Sequence, residues 1–389
     1  MACFHSIKAI VSRELGLIRK HSVCVSATIS TMTFCMIFFL TFFIEGMPHD
    51  LPIGVVDSDR SSLSRNIVRQ IDATQIGKTV SFDSYRQARE ALQKGEINGF
   101  CVIPPGMYND VLSGKQPVMT FYVNSLYFVG GALAYKDLLT MMNLTAGGVQ
   151  RELLLAKGMD IQTMTGLIQP IAIDTHQIGN TGTDYGVYLT NVLLPGMLEM
   201  TVILATVFAI GSELKNGTSR AALETAGGSI GTLIVGKLFP YTVLFTAIGL
   251  TSDMVMYGLA GFPLAGQIWG IFLGTFAMIL ASEAVGIFII GMLPVLRLAT
   301  SIAALYSVLG FSLAGFTFPV EAMPPYIQGL AAAFPLRHYY EIYVQEAIFA
   351  GGFGAWSGDM GAMMIFLLLP AIVYERLESA YRLQNFPKK

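Results

Sequence analysis

Long apolar runs separated by polar stretches are the dominant pattern along this chain. The first run, from His21 to Glu45, carries no charge between its ends. It is long enough for a membrane-spanning helix, which needs about 20 mostly apolar residues. Later runs predict further spans over 187–211, 233–258, 267–293, 296–318 and 358–376. The pattern therefore predicts about six transmembrane helices, the first within 22–45.

The segment before the first span, residues 1–21, has the pattern of an amphipathic helix at the membrane surface. Its apolar residues lie largely on one side of such a helix: Phe4, Ile7, Ile10, Val11, Leu15 and Ile18. A plain juxtamembrane anchor explains the pattern equally well. A cleavable signal peptide does not, because the apolar stretch is too long and no small-x-small cleavage site lies near Glu45.

Between 46 and 185 the chain is polar and mixed, which is typical of a folded domain outside the membrane. Short apolar runs at 51–57, 99–103 and 118–123 predict strands, and the amphipathic stretches between them predict helices in a βαβαβ-like order. Residues 133–168 are predicted to be helical, with breaks at Gly147-Gly148 and Gly158. The fold class is therefore an all-α transmembrane bundle, 186–389 with the first span, and an inserted α+β domain.

Basic residues predict the orientation of this bundle in the membrane. They precede the first span, and they recur in the loop after the second span and in the C-terminal tail: Lys215, Arg220, Lys237, Arg376, Arg382, Lys388 and Lys389. Because such residues favour the cytoplasmic side, both termini and the loop 212–231 are expected inside. The domain 46–185 is then expected in the periplasm.

Composition agrees with a membrane protein and excludes several other classes. The chain has 53% hydrophobic and 13% charged residues, whereas soluble domains carry about 25% charged residues. A net charge of −2 without basic clusters argues against nucleic-acid binding. Gly231 to Lys237 resembles the start of a P-loop, but Leu238 stands where the Mg²⁺-binding hydroxyl is required. We expect no catalytic residue, metal site or cofactor in this chain.

Three carboxylates fall inside predicted spans, where each costs roughly 2.5–3.5 kcal/mol on insertion scales. Glu199 and Glu283 either line a translocation pathway or form polar contacts between spans, and the sequence leaves both open. Asp253, near the end of its span, is expected at the interface. Tyr339, Tyr340 and Tyr343 are likewise predicted to belong to an interfacial aromatic belt.

The segment 319–345, between the fifth and sixth spans, is too polar and too rich in proline to cross the membrane. Its prolines are Pro319, Pro324, Pro325 and Pro335. An apolar stripe runs along it nevertheless, which predicts short helices that dip back into the membrane as a re-entrant segment. Irregular backbone at that depth requires cover from protein or water.

Three segments together resemble one family. They are QPIAIDTHQIGNTGTDYGVYLTNVLLPGML, ELKNGTSRAALETAGGSIGTLIVGKLFPY and GFTFPVEAMPPYIQGLAAAFPLRHYYEIYVQEAIFAG. Their order and spacing resemble the permease subunits of type-2 ATP-binding-cassette (ABC-2) exporters, in the subgroup with a large extracytoplasmic domain between the first two spans. The similarity covers essentially the whole chain.

The resemblance implies an ATPase-coupling helix in the loop 212–231. Glu213, Gly217 and Thr218 match the family's Glu-x-x-x-Gly-Thr pattern, and Arg220 and Glu224 lie in the same loop. The chain departs from the family at Ser212 and at Gly227-Gly228, which leaves the helix bounds open. Without the resemblance, these residues would be explained as an ordinary charged loop on the cytoplasmic side, which basic residues favour.

The resemblance also implies the function and the partners. The chain is expected to be an inner-membrane, multi-pass permease subunit that moves a small amphiphilic, drug-like or lipid-like substrate outward. ATP and Mg²⁺ would bind a separate ABC ATPase subunit. Expected partners are that ATPase, a second permease copy or paralogue, membrane lipids and a periplasmic membrane-fusion adaptor. The alternative is a membrane-anchored sensor or envelope-interaction protein that uses 46–185 as its binding module.

Overall fold

The computed structural model describes residues 2–20, 23–74, 77–124, 128–160, 164, 167–168, 176 and 178–383. The chain forms two compact units, one of Met1–Gly46 with Gln177–Lys389 and the other of Met47–His176. The first is called the membrane unit below and the second the sheet unit.

The described elements are, in chain order, α1 (Ala2–Lys20), α2 (Val23–Phe42), β1 (Leu51–Asp57), α3 (Ser62–Asp72), β2 (Gly77–Ser81), α4 (Tyr85–Lys94), β3 (Gly99–Ile103), α5 (Met107–Leu112), β4 (Thr120–Val123), α6 (Phe128–Ala156), α7 (Tyr185–Asn216), α8 (Ser219–Thr225), α9 (Ile230–Asp253), α10 (Ile268–Met292), α11 (Leu296–Leu313), α12 (Pro325–Ala331), α13 (Pro335–Tyr343), α14 (Gly352–Phe366), α15 (Leu369–Ile372) and α16 (Tyr374–Leu383). Helix α9 continues into a π-helical turn, Met254–Leu259, and α13 into another, Val344–Ile348.

Six described helical segments are long and apolar enough to cross a membrane, which confirms the predicted number. They are Val25–Phe42, Tyr185–Asn216, Ile230–Leu259, Ile268–Met292, Leu296–Leu313 and Gly352–Ile372. Helices α7 and α10 are the most buried of the six, so the bundle packs around them. Small residues of α10 allow this packing: a Cβ on Gly286 would lie 2.8 Å from the Thr206 side chain of α7.

Helix α1 packs against α9. Ile10 is fully buried, and a Cβ on Gly236 of α9 would lie 3.0 Å from it. Glu14 is also buried. The Glu14 carboxylate can be buried because α9 supplies a partner for its charge.

The sheet unit is a four-stranded sheet with helices on both faces. The strand order is β2-β1-β3-β4, with β1 parallel to β2 and β3, and β4 antiparallel to β3. Helices α3, α5 and α6 contribute to the core on one face, around Ile53, Ile67 and Cys101. Helix α4 covers the other face through Ala88 and Ala91.

One strand of this unit was not predicted, and one predicted helix break was wrong. The sequence GKTVS was not recognised as a strand, because it is short, polar and mostly exposed at the sheet edge. Helix α6 runs through Gly147-Gly148 without the predicted break. The other predicted break holds, since Gly158 follows the helix with a φ of 74°.

The segment 319–345 forms a short 3₁₀ turn and the helices α12 and α13. Pro325 and Pro335 occupy the first positions of these helices, where the missing N–H is not needed. Tyr339 and Tyr343 are buried in the bundle core, so their assignment to an interfacial belt was wrong. They face inward because α13 packs against α10 and α14.

Candidate functional site

The loop between α7 and α9 joins two long helices through one short helix, with almost no slack. Helix α7 ends at Gly217, whose left-handed φ of 70° lets the backbone N–H reach back to the carbonyls of α7. Helix α8 follows at once, and Ser229 caps the start of α9 by accepting a hydrogen bond from the Thr232 N–H. Within the predicted loop 212–231, residues 212–216 are the end of α7, Ser219–Thr225 form α8, and 230–231 begin α9.

A buried charge cluster, made of Arg13, Glu14, Glu213 and Lys237, lies at the base of this loop. The Lys237 Nζ lies 2.8 Å from Glu14 Oε2 and 3.2 Å from Glu213 Oε1. The Arg13 Nη1 donates to Glu213 Oε1 at 2.6 Å. Two acids and two bases balance each other, which is required where charges leave water.

Helix α16 braces the same loop from the C-terminal side. The Tyr381 hydroxyl donates to Glu213 Oε2 at 3.2 Å, and Ser219 Oγ donates to the Tyr381 carbonyl at 3.3 Å. Arg382 donates to the Gly228 carbonyl at 3.2 Å. Burial and the nearby Glu213 carboxylate raise the pKa of Tyr381 well above its ordinary value, so its hydroxyl keeps its proton.

The structure separates the five predicted coupling residues into three groups. Glu213 is only 4% exposed, and its carboxylate contacts Arg13, Lys237 and Tyr381. Gly217 and Thr218 form the turn between α7 and α8. Arg220 and Glu224 lie one turn apart on α8, exposed, with 3.6 Å between their charged atoms.

Glu199 lies fully buried in the middle of α7. Neither of its carboxyl oxygens has a hydrogen-bond partner of ordinary geometry among the described residues. It lies near the backbone N–H of Leu336, in the first turn of α13, and a Cβ on Gly310 would lie 3.6 Å from it. Unsatisfied buried carboxyl groups are rare, and in membrane helices they commonly mark functional positions.

Glu283 and Asp253 do have partners. Both Glu283 carboxyl oxygens lie 2.8 Å from the Thr242 hydroxyl of α9, which is a polar contact between spans. Asp253 accepts a hydrogen bond from Thr275 at 2.8 Å and is 2% exposed, so it is buried among the helices of the bundle. Glu283 also borders a cavity of about 660 Å³ between α9, α10 and the α14–α15 region.

Sequence reasoning missed Glu346, a buried carboxylate beside the N-terminus of α10. Its Oε1 accepts the Gln267 N–H at 2.7 Å, and its Oε2 accepts the Trp356 Nε1–H at 2.8 Å. A carboxylate at a helix N-terminus compensates the free N–H groups there. Nothing in the local sequence predicts a cap supplied from 79 residues away.

The two comparisons with known proteins agree in finding similarity to transport proteins. A family model described as "ABC-2 family transporter protein" matches residues 22–374. The chain is 23% identical over 323 residues to proteins named "Inner membrane transport permease YhhJ" from Escherichia coli (strain K12) and Shigella flexneri. The aligned region covers 78% of this chain and 78% of each relative.

Proposed function

The chain belongs to the ABC-2 family of transporters, and from this premise we propose that it is the permease subunit of an ATP-driven exporter in the bacterial inner membrane. A transport permease of this family works with an ABC ATPase. The finer proposal is that this ATPase docks on α8 and that its motion is transmitted through α7 and α9.

The observation that carries the proposal is the rigid mounting of α8. An exposed Arg–Glu pair lies on a helix of seven residues, and the charge cluster and α16 both bond to residues at the start of that helix and just before it. A force applied to Arg220 or Glu224 would therefore move α7 and α9 instead of bending a slack loop. Glu213 supports this transmission as a positioning residue.

The direction and the cargo are also part of the proposal. The cavity beside Glu283 is lined mainly by aliphatic and aromatic side chains, which suits an amphiphilic, drug-like or lipid-like substrate that enters from the bilayer. We propose that Glu199 lies along the route of this substrate and that ATP and Mg²⁺ bind the partner ATPase.

A second permease copy or paralogue would complete the pathway, and a periplasmic adaptor would receive the cargo from the sheet unit. Both termini would lie in the cytoplasm.

The test is the double variant Arg220→Ala/Glu224→Ala in the full-length protein. Both side chains are exposed, so the variant should insert and fold like the wild type. We expect co-purification of the ATPase to fall at least fivefold and substrate-stimulated ATP hydrolysis to be lost. The matched control is Arg86→Ala/Glu90→Ala, which removes an equally spaced exposed Arg–Glu pair from α4 of the sheet unit. Normal ATPase recruitment and export by the α8 variant would refute the docking assignment.

A further inference from the structure

An open cavity of about 610 Å³ lies in the sheet unit, between α3 and the end of the edge strand β2. Three arginines line it: Arg60 from the loop after β1, and Arg65 and Arg69 from α3. The coupling mechanism uses none of them. Pockets of roughly 300–1,000 Å³ are the usual size for small-molecule sites.

These arginines have no salt bridge with any carboxylate of the described residues, in contrast to Arg86 on α4, which pairs with Glu90. Arg65 and Arg69 are separated by one helical turn, and like charges at that spacing destabilise a helix. The sheet unit therefore retains a repulsion between the guanidinium groups of Arg65 and Arg69, and a bound anion would relieve this repulsion.

The loop before α3 is built so that one of these arginines is held in place. Asp57 accepts hydrogen bonds from the N–H groups of Asp59 and Arg60 at 3.0 and 2.9 Å, and from Ser64 Oγ at 2.8 Å. This holds Arg60 at a left-handed φ of 54°, which is uncommon for a residue with a side chain. The Arg60 carbonyl then accepts from Arg65 Nη1 at 2.7 Å, which orients that guanidinium group.

Two carboxylates also line the cavity. The charge of Asp57 is taken up by the three hydrogen bonds of its own loop. Asp83, which is exposed, directly precedes the N-cap of α4. The cavity is thus lined by three guanidinium groups and two carboxylates. Of the two carboxylates, Asp57 accepts the three hydrogen bonds described above, and Asp83 accepts none of them. The rest of the wall includes the apolar side chains of Val55, Val68 and Phe82.

We propose that this cavity binds the phosphate or carboxylate head group of an anionic amphiphile. Guanidinium groups bind such anions through paired hydrogen bonds, and the apolar wall would cover the first carbons of an attached chain. The site lies in the sheet unit alone. It is tested by binding, so failure of the export proposal would leave it standing, and its own failure would leave α8 docking untouched.

The test is calorimetric titration of the full-length protein, held in nanodiscs of zwitterionic lipid, with dihexanoyl phosphatidate as the probe. We expect the dissociation constant to rise at least tenfold in Arg65→Gln/Arg69→Gln and to stay within twofold in the matched control Arg86→Gln/Arg89→Gln. Glutamine keeps a polar side chain with good helix propensity at these exposed positions, so both variants should fold.

Two further probes distinguish the source of the anion. Dihexanoylglycerol has the same chains without phosphate and should not bind, whereas inorganic phosphate has the head group alone and should bind at least tenfold more weakly than phosphatidate. Equal affinity for inorganic phosphate would keep the anion site but overturn its assignment to an amphiphile. Unchanged phosphatidate binding in the α3 variant, or equal losses in both variants, would overturn the site itself.

Discussion

At the scale of single residues, the partners of a charged side chain decide its role more than its place in the sequence does. Lys237 and Glu213 were both read as members of a charged loop, yet both are buried and 3.2 Å apart. Positive-inside reasoning counts charges near a span but does not show which of them point into the bundle. Arg220 and Glu224, by contrast, are exposed as a solvent-facing loop predicts.

Replacing Lys237 with alanine should strongly destabilise the membrane unit. The change leaves Glu14 without its cationic partner and Glu213 with Arg13 alone, and breaking a buried pair costs about 3–5 kcal/mol. We expect a clearly lower midpoint of thermal unfolding in detergent. The control Lys215→Ala removes an exposed lysine from the same region and should shift the midpoint little. Equal midpoints for both variants would mean that the cluster adds no stability.

The thiol of Cys101 should be nearly inert in the folded protein. Burial, with a smaller contribution from the Asp57 charge, raises the pKa of Cys101 to about 12. The reactive thiolate is therefore about a thousand times scarcer at pH 8 than for an ordinary thiol, and it appears only as the pH approaches 12. Mass mapping after N-ethylmaleimide treatment should find Cys101 unmodified until denaturant is added. An introduced cysteine at the exposed position of Lys115 should react at once, and comparable rates at the two positions would contradict this burial.

At the scale of elements, long periodic segments were predictable and short contextual ones were not. All six spans follow from run length alone, since a membrane span must be apolar throughout. Strand β2 escaped detection because its identity depends on pairing with β1 across the sheet. Helix α6 continues through two glycines because glycine costs only about 1 kcal/mol each in a helix, which the remaining turns can offset.

The approach of α10 to Glu346 gives a prediction at this scale. A Cβ on Gly270 would lie 2.7 Å from the Glu346 side chain, which is already fixed by the Gln267 N–H and by Trp356. Gly270→Ala should therefore destabilise the bundle by about 1–3 kcal/mol, as overpacking does. Gly361→Ala is the matched control, because its Cβ would meet nothing within 4 Å. Chemical denaturation of both variants checks this, and equal stability would show that Glu346 moves aside freely.

At the scale of the whole molecule, the sequence predicted which architecture is present but not how its parts are connected. The sequence predicted a short charged loop between the second and third spans, and the structure has such a loop between α7 and α9, while its coupling role stays a prediction. It did not predict that α1 and α16, far apart in sequence, both bond to Glu213. Such contacts depend on three-dimensional proximity, for which a single sequence holds no periodic signal.

The proposed function also predicts the compartment in which the sheet unit lies. If α8 meets a cytoplasmic ATPase, the sheet unit is expected in the periplasm. The reason is that the chain crosses the membrane once in α2, before this unit, and once in α7, between this unit and α8. A membrane-impermeant maleimide should label Lys115→Cys in intact spheroplasts and should label Arg220→Cys only after the membrane is permeabilised. Both positions are exposed, so accessibility reports the side of the membrane and not burial. The wild-type chain supplies the background from its native cysteines. The reverse labelling order would place the sheet unit in the cytosol and remove α8 from reach of any ATPase.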